Sequence, residues 1–304
     1  MDREQGQEWV AARELFEALV DHADPDAHAA VVVPWLRRAE ANYRSKLLKA
    51  ADRLCRPAVD GPTVWRQEML WELYALSRVS DMLLCAFQPP SDTMGDEPWD
   101  AGDYWPSLTM DQYRELFMSL GMVTFEETAV FDPFLHEIVD VEQSEDPDEP
   151  VEVTEVVWPG LRLGTLLFSR SGVRVRAGVR HAERGVADRS PLYWTFRRRH
   201  RPTVDQSLGW GHNSQWRTDF RLDYHLKAGR KIHVDGSTDT DNIDRELDLA
   251  GGLLTPSERV ELLRNRCLLR TPVKAEVLAT IPSWPWDLYP FDWQLPTSEV
   301  APGS

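Results

Sequence analysis

Residues able to carry acid-base or metal chemistry are concentrated in the last third of the chain. Four histidines are interleaved there with four aspartates, namely His200, Asp205, His212, Asp219, Asp223, His225, His233 and Asp235. Imidazole and carboxylate groups serve as general acids, general bases or metal ligands. Their spacings match no zinc-protease helix, phosphate-binding glycine loop or nucleophile elbow. We therefore predict no catalytic residue, no metal site and no cofactor from this pattern.

The same third contains a basic and aromatic stretch with the residue types of an anion site. A cluster from Arg197 to Arg201 follows three aromatic residues, Tyr193, Trp194 and Phe196, and a loop rich in glycine and amides comes after it. In single-stranded nucleic-acid sites, arginines contact phosphates and aromatic rings stack on bases. The candidate anion or ligand site comprises Arg197, Arg199, His200, Trp210, His212, Asn213, Gln215 and Arg217. The alternative interpretation is a solvated basic edge that docks against the acidic first half of the chain.

Charge is distributed unevenly along the 304 residues. The formal net charge is -16, and residues 1–179 hold 16 basic and 33 acidic residues while residues 180–304 hold 18 and 17. This asymmetry predicts two modules with different surfaces, and its sign disfavours extensive nucleic-acid binding. No apolar segment approaches the ~20 residues of a membrane span. The three cysteines are far apart and form no disulfide framework, so we expect reduced thiols in a cytoplasmic protein.

The first third is predicted to be helical. Apolar residues at spacings of three and four indicate helices over Glu8–Ala23, Ala27–Leu54 and about Pro62–Phe87. These helices either pack within the chain or form a surface for a homodimer. The acidic, proline-bearing segment from Ser91 to Pro106 predicts a domain boundary.

The middle of the chain changes to strand patterns. Thr109 and Gln112 form a capping box for a short helix, and Gly121 suits its C-terminal cap. Alternation over Val151–Val157 predicts a half-exposed strand. A turn over Trp158–Gly160 follows, and a final apolar strand is predicted after Gly164, ending at Val175.

The last third mixes both kinds of element. Alternation from Trp216 to Tyr224 predicts a strand, with Ile232–Val234 as its return strand. Thr255 begins a helix. We predict an α+β protein with a helical region (1–100), a small β head (101–179) and a mixed domain (180–304).

The middle segment contains three short motifs in order, formed by Phe131, Asp132, Pro133, His136, Glu137 and Val139, then by Pro159 through Gly164, and then by Phe168, Val173 and Val175. Together they resemble the head of the GrpE family of nucleotide exchange factors. That family has an F-D-P-x-x-H-E-x-V motif, then a strand, a P-G-Y-x-x-G turn and an L-R-P-A-x-V-x-V strand. The resemblance covers about residues 103–178. Leucine replaces the aromatic residue of the turn, Ser169 and Ser171 replace the arginine and alanine of the last strand, and the loop at Glu142–Glu149 is extra.

The resemblance implies a binding role on a DnaK-class ATPase and a set of head-motif residues. These candidate partner-binding or motif residues are Phe131, Asp132, Pro133, His136, Trp158, Pro159, Gly160 and Arg162. For His136, we expect a hydrogen bond that locks a turn rather than catalysis. In that case the motif residues indicate the fold, and a partner binds to the surfaces that they shape.

Three functional hypotheses follow. The first is a protein-binding co-chaperone or nucleotide exchange factor. The second is an immunity-like or antitoxin-like acidic protein that masks a basic partner, because acidic surfaces steer basic ones. The third is an enzyme or anionic-ligand binder centred on residues 197–235.

Overall fold

The protein is described by a computed structural model, which has an α+β architecture as predicted. The described residues are 11–22, 24–56, 63–89, 106–126, 130–185, 187, 198, 220–227, 229–234, 238–239, 255–265 and 293–295. Within them lie five α-helices and ten strands in three sheets. No helix of this described part is long and apolar enough to cross a membrane.

Three helices form the amino-terminal region, close to their predicted bounds. They are α1 (Ala12–Val20), α2 (Val33–Leu54) and α3 (Val64–Leu84). A π-helical turn, His28–Val32, precedes α2, and a 3-10 turn, Cys85–Phe87, follows α3. The apolar stripe that predicted α1 is its buried face, because Leu15, Phe16 and Leu19 are all enclosed. Packing of such a stripe, more than helix propensity, is what holds a nine-residue helix.

A fourth helix opens the head. Helix α4 (Met110–Ser119) begins with the predicted capping box, in which Thr109 and Gln112 satisfy each other's backbone N–H. Its end is a Schellman motif: the Gly121 N–H donates to the Met118 carbonyl and the Met122 N–H to the Phe117 carbonyl. Gly121 has a φ of +91°, which explains why glycine stands there.

Sheet A joins the head to the last third of the chain. Its strands are β1 (Val123–Phe125), β4 (Gly160–Leu163), β5 (Leu166–Ser169), β7 (Asp223–Leu226) and β8 (Gly229–Lys231). They lie in the order β1-β4-β5-β7-β8, and every neighbouring pair is antiparallel. Strands on both sides of residue 179 therefore share one sheet. The three-domain division remains a prediction.

Sheet B contains three strands with β6 at its centre. These are β2 (His136–Gln143), β3 (Glu152–Trp158) and β6 (Ser171–Ala177), in the order β2-β6-β3. Strand β2 runs parallel to β6 and β3 antiparallel to it.

Two strand predictions were wrong in their bounds. The single strand expected after Gly164 is two strands, β5 and β6, which change sheets at Arg170. The return strand expected over Ile232–Val234 is instead Gly229–Lys231, because the chain turns tightly after Leu226. The predicted strand from Trp216 is described only from Phe220 onward, and pairs only from Asp223.

The cores cross the predicted boundaries. The largest includes residues of α1 to α4, of β4 and β5, and of the segment that enters β7. Tyr224 of β7, which is also in this core, donates its hydroxyl to the Ala51 carbonyl of α2 over 2.7 Å. A second core fills the inner side of sheet B, and a third includes Leu263 of helix α5 (Pro256–Asn265). Strands β9 (Thr238–Asp239) and β10 (Trp293–Gln294) form a parallel pair.

Candidate functional site

The Phe-Asp-Pro segment before β2 is a turn locked by its own side chains. The Asp132 carboxylate accepts the Phe134 N–H over 2.9 Å, and the Asp132 N–H donates to His136 Nδ1 over 3.0 Å. The Phe131 ring stacks on the His136 imidazole with centroids 5.9 Å apart. His136 is buried, as a turn-locking histidine should be. The hydrogen bond expected of His136 is thus confirmed.

An arginine from outside the resemblance holds this turn from the other side. Arg230 of β8 pairs with Asp132 through both of its terminal nitrogens, one of them 2.9 Å from Oδ1. Its guanidinium also lies 4.8 Å from the centroid of the Phe134 ring. Both charged side chains are about one fifth exposed. The aspartate of the motif is therefore committed to an internal ion pair.

The second carboxylate of the motif is paired more deeply. Glu137 lies 2.7 Å from a terminal nitrogen of Arg198, whose Nε also bonds to Asp81 of α3 over 3.2 Å. The Arg198 side chain is 1% exposed and stacks over Trp158 at 5.0 Å. Burial alone lowers the pKa of this guanidinium, but attraction to the two carboxylates outweighs it and raises the pKa above its usual value. The side chain is a fixed cation that joins α3, β2 and the last third of the chain.

A third arginine pairing closes the junction between β5 and β6. Arg170 donates to the Pro133 carbonyl over 3.0 Å and to Asp223 over 3.1 Å. Asp223 also accepts from Arg221 and from the His233 N–H. Both partners of the Arg170–Asp223 pair are almost fully enclosed. Buried charges of this kind persist only when paired, and this pair lies at the point where the chain passes from β5 to β6.

The glycine and tryptophan of the predicted turn are packing residues. A Cβ on Gly160 would lie 2.1 Å from the ring of Phe125, so only glycine fits beneath that ring. Trp158 is buried, donates its indole N–H to the Arg170 carbonyl over 3.3 Å, and covers Gly172. Pro159 is also buried, and Arg162 stacks on Phe125 at 5.0 Å.

The outer face of sheet B is exposed and carries a ladder of paired charges. In the strand register, Arg174 lies between Asp140 and Glu155, and Arg176 lies between Glu142 and Glu152. Arg174 contacts Glu155 at 2.7 Å and Asp140 at 3.9 Å. Each central cation therefore faces a carboxylate on both sides, an arrangement that stabilises neighbouring strands.

Carboxylates outnumber arginines on this surface. We define the acidic face as the charged residues of the outer side of sheet B together with those of the 144–150 loop and Arg180. It comprises Asp140, Glu142, Glu145, Asp146, Asp148, Glu149, Glu152 and Glu155 with Arg174, Arg176 and Arg180. The surplus is five negative charges in a small area. Both outer strands, β2 and β3, contain register shifts, which blunt a sheet edge against further strand pairing. The exposed side of sheet B is therefore its charged face, and its outer strands are irregular.

The predicted site residues separate into two groups. Of the head-motif group, Phe131, Asp132, Pro133, His136 and Trp158 lie around the start of sheet B, whereas Pro159, Gly160 and Arg162 lie in or next to β4 of sheet A; the described contacts of both sets are internal. The anion-site group, Arg197, Arg199, His200, Trp210, His212, Asn213, Gln215 and Arg217, lies outside the described residues. Arg198, from the same basic cluster, is buried against carboxylates.

Sequence reasoning missed the arginine partners. Arg198, Arg230 and Arg170 carry no motif, and each contacts a residue far away in the chain. The one local signal was on α3, where Glu72, Arg78 and Asp81 occupy its buried side. Charged residues on an apolar helical face indicate a partner of opposite charge elsewhere.

One further group has ligand chemistry. In the described part of the chain, His22, Asp24 and Asp26 are the group whose ligand atoms lie close enough, within 4.8 Å, to share an ion. His22 already bonds to Asp26 over 2.8 Å, and both aspartates are exposed. Exposed clusters of this kind are ordinary surface features.

Comparison with known proteins gives no match: neither a family model, nor a curated protein, nor a solved structure is similar to this chain.

Proposed function

We propose that this chain is a protein-binding factor that contacts its partner through the acidic face of sheet B. The observation that carries the proposal is the exposed ladder with its surplus of carboxylates. The motif acids beside it are neutralised by Arg198 and Arg230, so they are not available to a partner. A fixed, charged sheet face suits recognition because its side chains are already ordered before binding.

The partner we propose is a DnaK-class ATPase, acted on as a nucleotide exchange factor acts. This assignment rests on the resemblance of residues 103–178 to the GrpE head. The six strands β1 to β6 lie between Val123 and Ala177, and the motif residues hold the turn and strand starts of that segment. An exchange factor performs no covalent step. It binds the open state of the ATPase more tightly and so shifts the population toward nucleotide release.

The test is the rate of nucleotide release from a DnaK-class chaperone loaded with a fluorescent ADP. The full chain should accelerate release, and Asp140→Lys with Glu142→Lys should abolish the acceleration. The matched control, Asp24→Lys with Asp111→Lys, makes the same charge change at exposed carboxylates outside the face and should behave as wild type. An unchanged release rate with the wild-type chain refutes the exchange role.

A second candidate function follows from the same surplus of charge. An acidic protein that masks a basic partner would bind through electrostatic complementarity, with fast association that weakens as salt rises. A polylysine peptide serves as the probe. Binding that is lost with added salt and with the Asp140→Lys, Glu142→Lys variant, without any effect on nucleotide release, favours masking over exchange. Salt-independent binding counts against it.

A further inference from the structure

Helix α2 carries a charge opposite to that of the chain as a whole. Between Val33 and Leu54 it has six basic and two acidic residues, in a protein with a formal charge of -16. We define the basic face as the exposed basic residues Arg37, Arg44, Lys49, Arg53 and, just beyond the helix, Arg56; one exposed acid, Asp52, lies among them. The opposite side of α2 is buried in the main core, so this charge points to solvent.

The basic face has few internal partners. Within the described residues, the ion pairs include none made by Arg37, Arg44, Lys49, Arg53 or Arg56. Arg53 instead stacks on Trp65 at 3.9 Å, which fixes its guanidinium at the surface. Such a cation is ordered before it meets a carboxylate, so less side-chain entropy is lost on pairing.

The spacing of this face matches that of the ladder on sheet B. Lys49 and Arg53 are one helical turn apart, which places them ~6 Å apart along the axis. The two rungs of the ladder, at Asp140 and Glu142, are two residues apart on a strand, or ~7 Å. A helix laid along the sheet face can therefore set one cation against each rung.

The molecule that binds the basic face must be one with a small acidic surface rather than a long polyanion. A nucleic acid or an anionic membrane would meet the repulsion of a strongly negative protein over its whole contact area. Charges farther away than the Debye length, ~8 Å at physiological salt, are screened, so a small acidic surface meets mainly the local positive charge. The chain itself provides such a surface in its acidic face.

We propose that the basic face of α2 binds the acidic face of sheet B in a second copy of this chain. Lys49 and Arg53 are the central cations, opposite Asp140 and Glu142 of the partner copy. When both copies make the contact reciprocally about a two-fold axis, the interface is isologous and closes into a dimer. Because it covers the acidic face, self-association competes with the partner binding proposed above.

The test is sedimentation velocity on the full chain across protein and salt concentration. The wild-type chain should associate, with the associated fraction falling as salt is raised. Lys49→Glu with Arg53→Glu, and separately Asp140→Lys with Glu142→Lys, should each lower the association constant about tenfold or more. An equimolar mixture of the two variants should associate again, because the reversed charges on the two chains are complementary.

Two controls keep the outcome interpretable. Arg13→Glu with Lys227→Glu makes the same charge change at exposed cations outside both faces and should associate as wild type. Asp140→Asn with Glu142→Gln removes the charges without placing a lysine beside Arg174, so it tests the contact even where the reversed variant folds poorly, and it should also lower association. A monomeric wild type, an unaffected Lys49→Glu, Arg53→Glu variant, or a mixture that stays monomeric overturns the proposal. No chaperone is present, so none of these results bears on nucleotide release.

Discussion

Replacing Arg198 by methionine removes the cation between two buried carboxylates. The Glu137 side chain is 4% exposed and that of Asp81 is 10% exposed, so neither can recover its hydration without moving. Breaking a buried pair by removing one partner costs ~3–5 kcal/mol, since the remaining charge stays buried without compensation. Methionine keeps most of the volume against Trp158, so little of this loss comes from a cavity. We expect the free energy of unfolding to fall by that amount.

The assay is urea denaturation followed by tryptophan fluorescence and far-ultraviolet circular dichroism. Coincident curves from the two probes are needed before a free energy is assigned, because a chain of this size can unfold in stages. Glu137→Gln in the Arg198→Met background should restore part of the loss, with a coupling energy of ~1–3 kcal/mol. The control is Arg180→Met, whose partner Asp148 is 62% exposed; that change should stay within ~1 kcal/mol of wild type. A loss below ~1 kcal/mol for Arg198→Met, or simple additivity with Glu137→Gln, refutes the buried pairing.

Two further changes test the packing and the buried charges. Gly160→Ala should destabilise by ~1–3 kcal/mol, because its Cβ would meet the Phe125 ring, and Phe125→Leu in the same chain should relieve part of that loss in urea denaturation. Burial raises the pKa of Glu72, even though hydrogen bonds from Tyr43 and the Ala12 N–H oppose this. The pKa of Glu72 in the folded state is above its unfolded value of ~4.3, so the free energy of unfolding should fall as the pH rises from ~4.3 through the raised pKa. Glu72→Gln should remove this dependence on pH. A Glu72→Gln variant with the same pH profile as wild type contradicts the assignment.

Local signals predicted the helices and caps closely. These signals act within a few residues, so their effects can be predicted from the local sequence. Examples are the capping pair at Thr109, the glycine at 121 and the proline-containing turn at Asp24–Asp26. The alternation over Val151–Val157 likewise predicted β3, because one side of that strand faces the small core under sheet B.

Contacts between residues far apart in the sequence could not be predicted in this way. Strands β5 and β6 are separated in the sequence only by Arg170, and the buried pair of Arg170 with Asp223, 53 residues away, lies where the chain changes sheets. The pair of Arg198 with Asp81 spans 117 residues. Neither pairing leaves a periodic pattern in the sequence, because the sequence around an arginine does not show whether its side chain is exposed or buried.

These pairings change what the resemblance means for this chain. Asp132 and Glu137, the two acidic residues of the motif, find their cations in Arg230 and Arg198, both beyond residue 180. Strand β7 also covers the edge of β5. A segment ending near Gly178 would leave Glu137 buried without its arginine and the edge of β5 unpaired. The motif joins the head to the rest of the protein, and the charged side of sheet B, whose described ion pairs include neither arginine, is the surface that we propose for recognition.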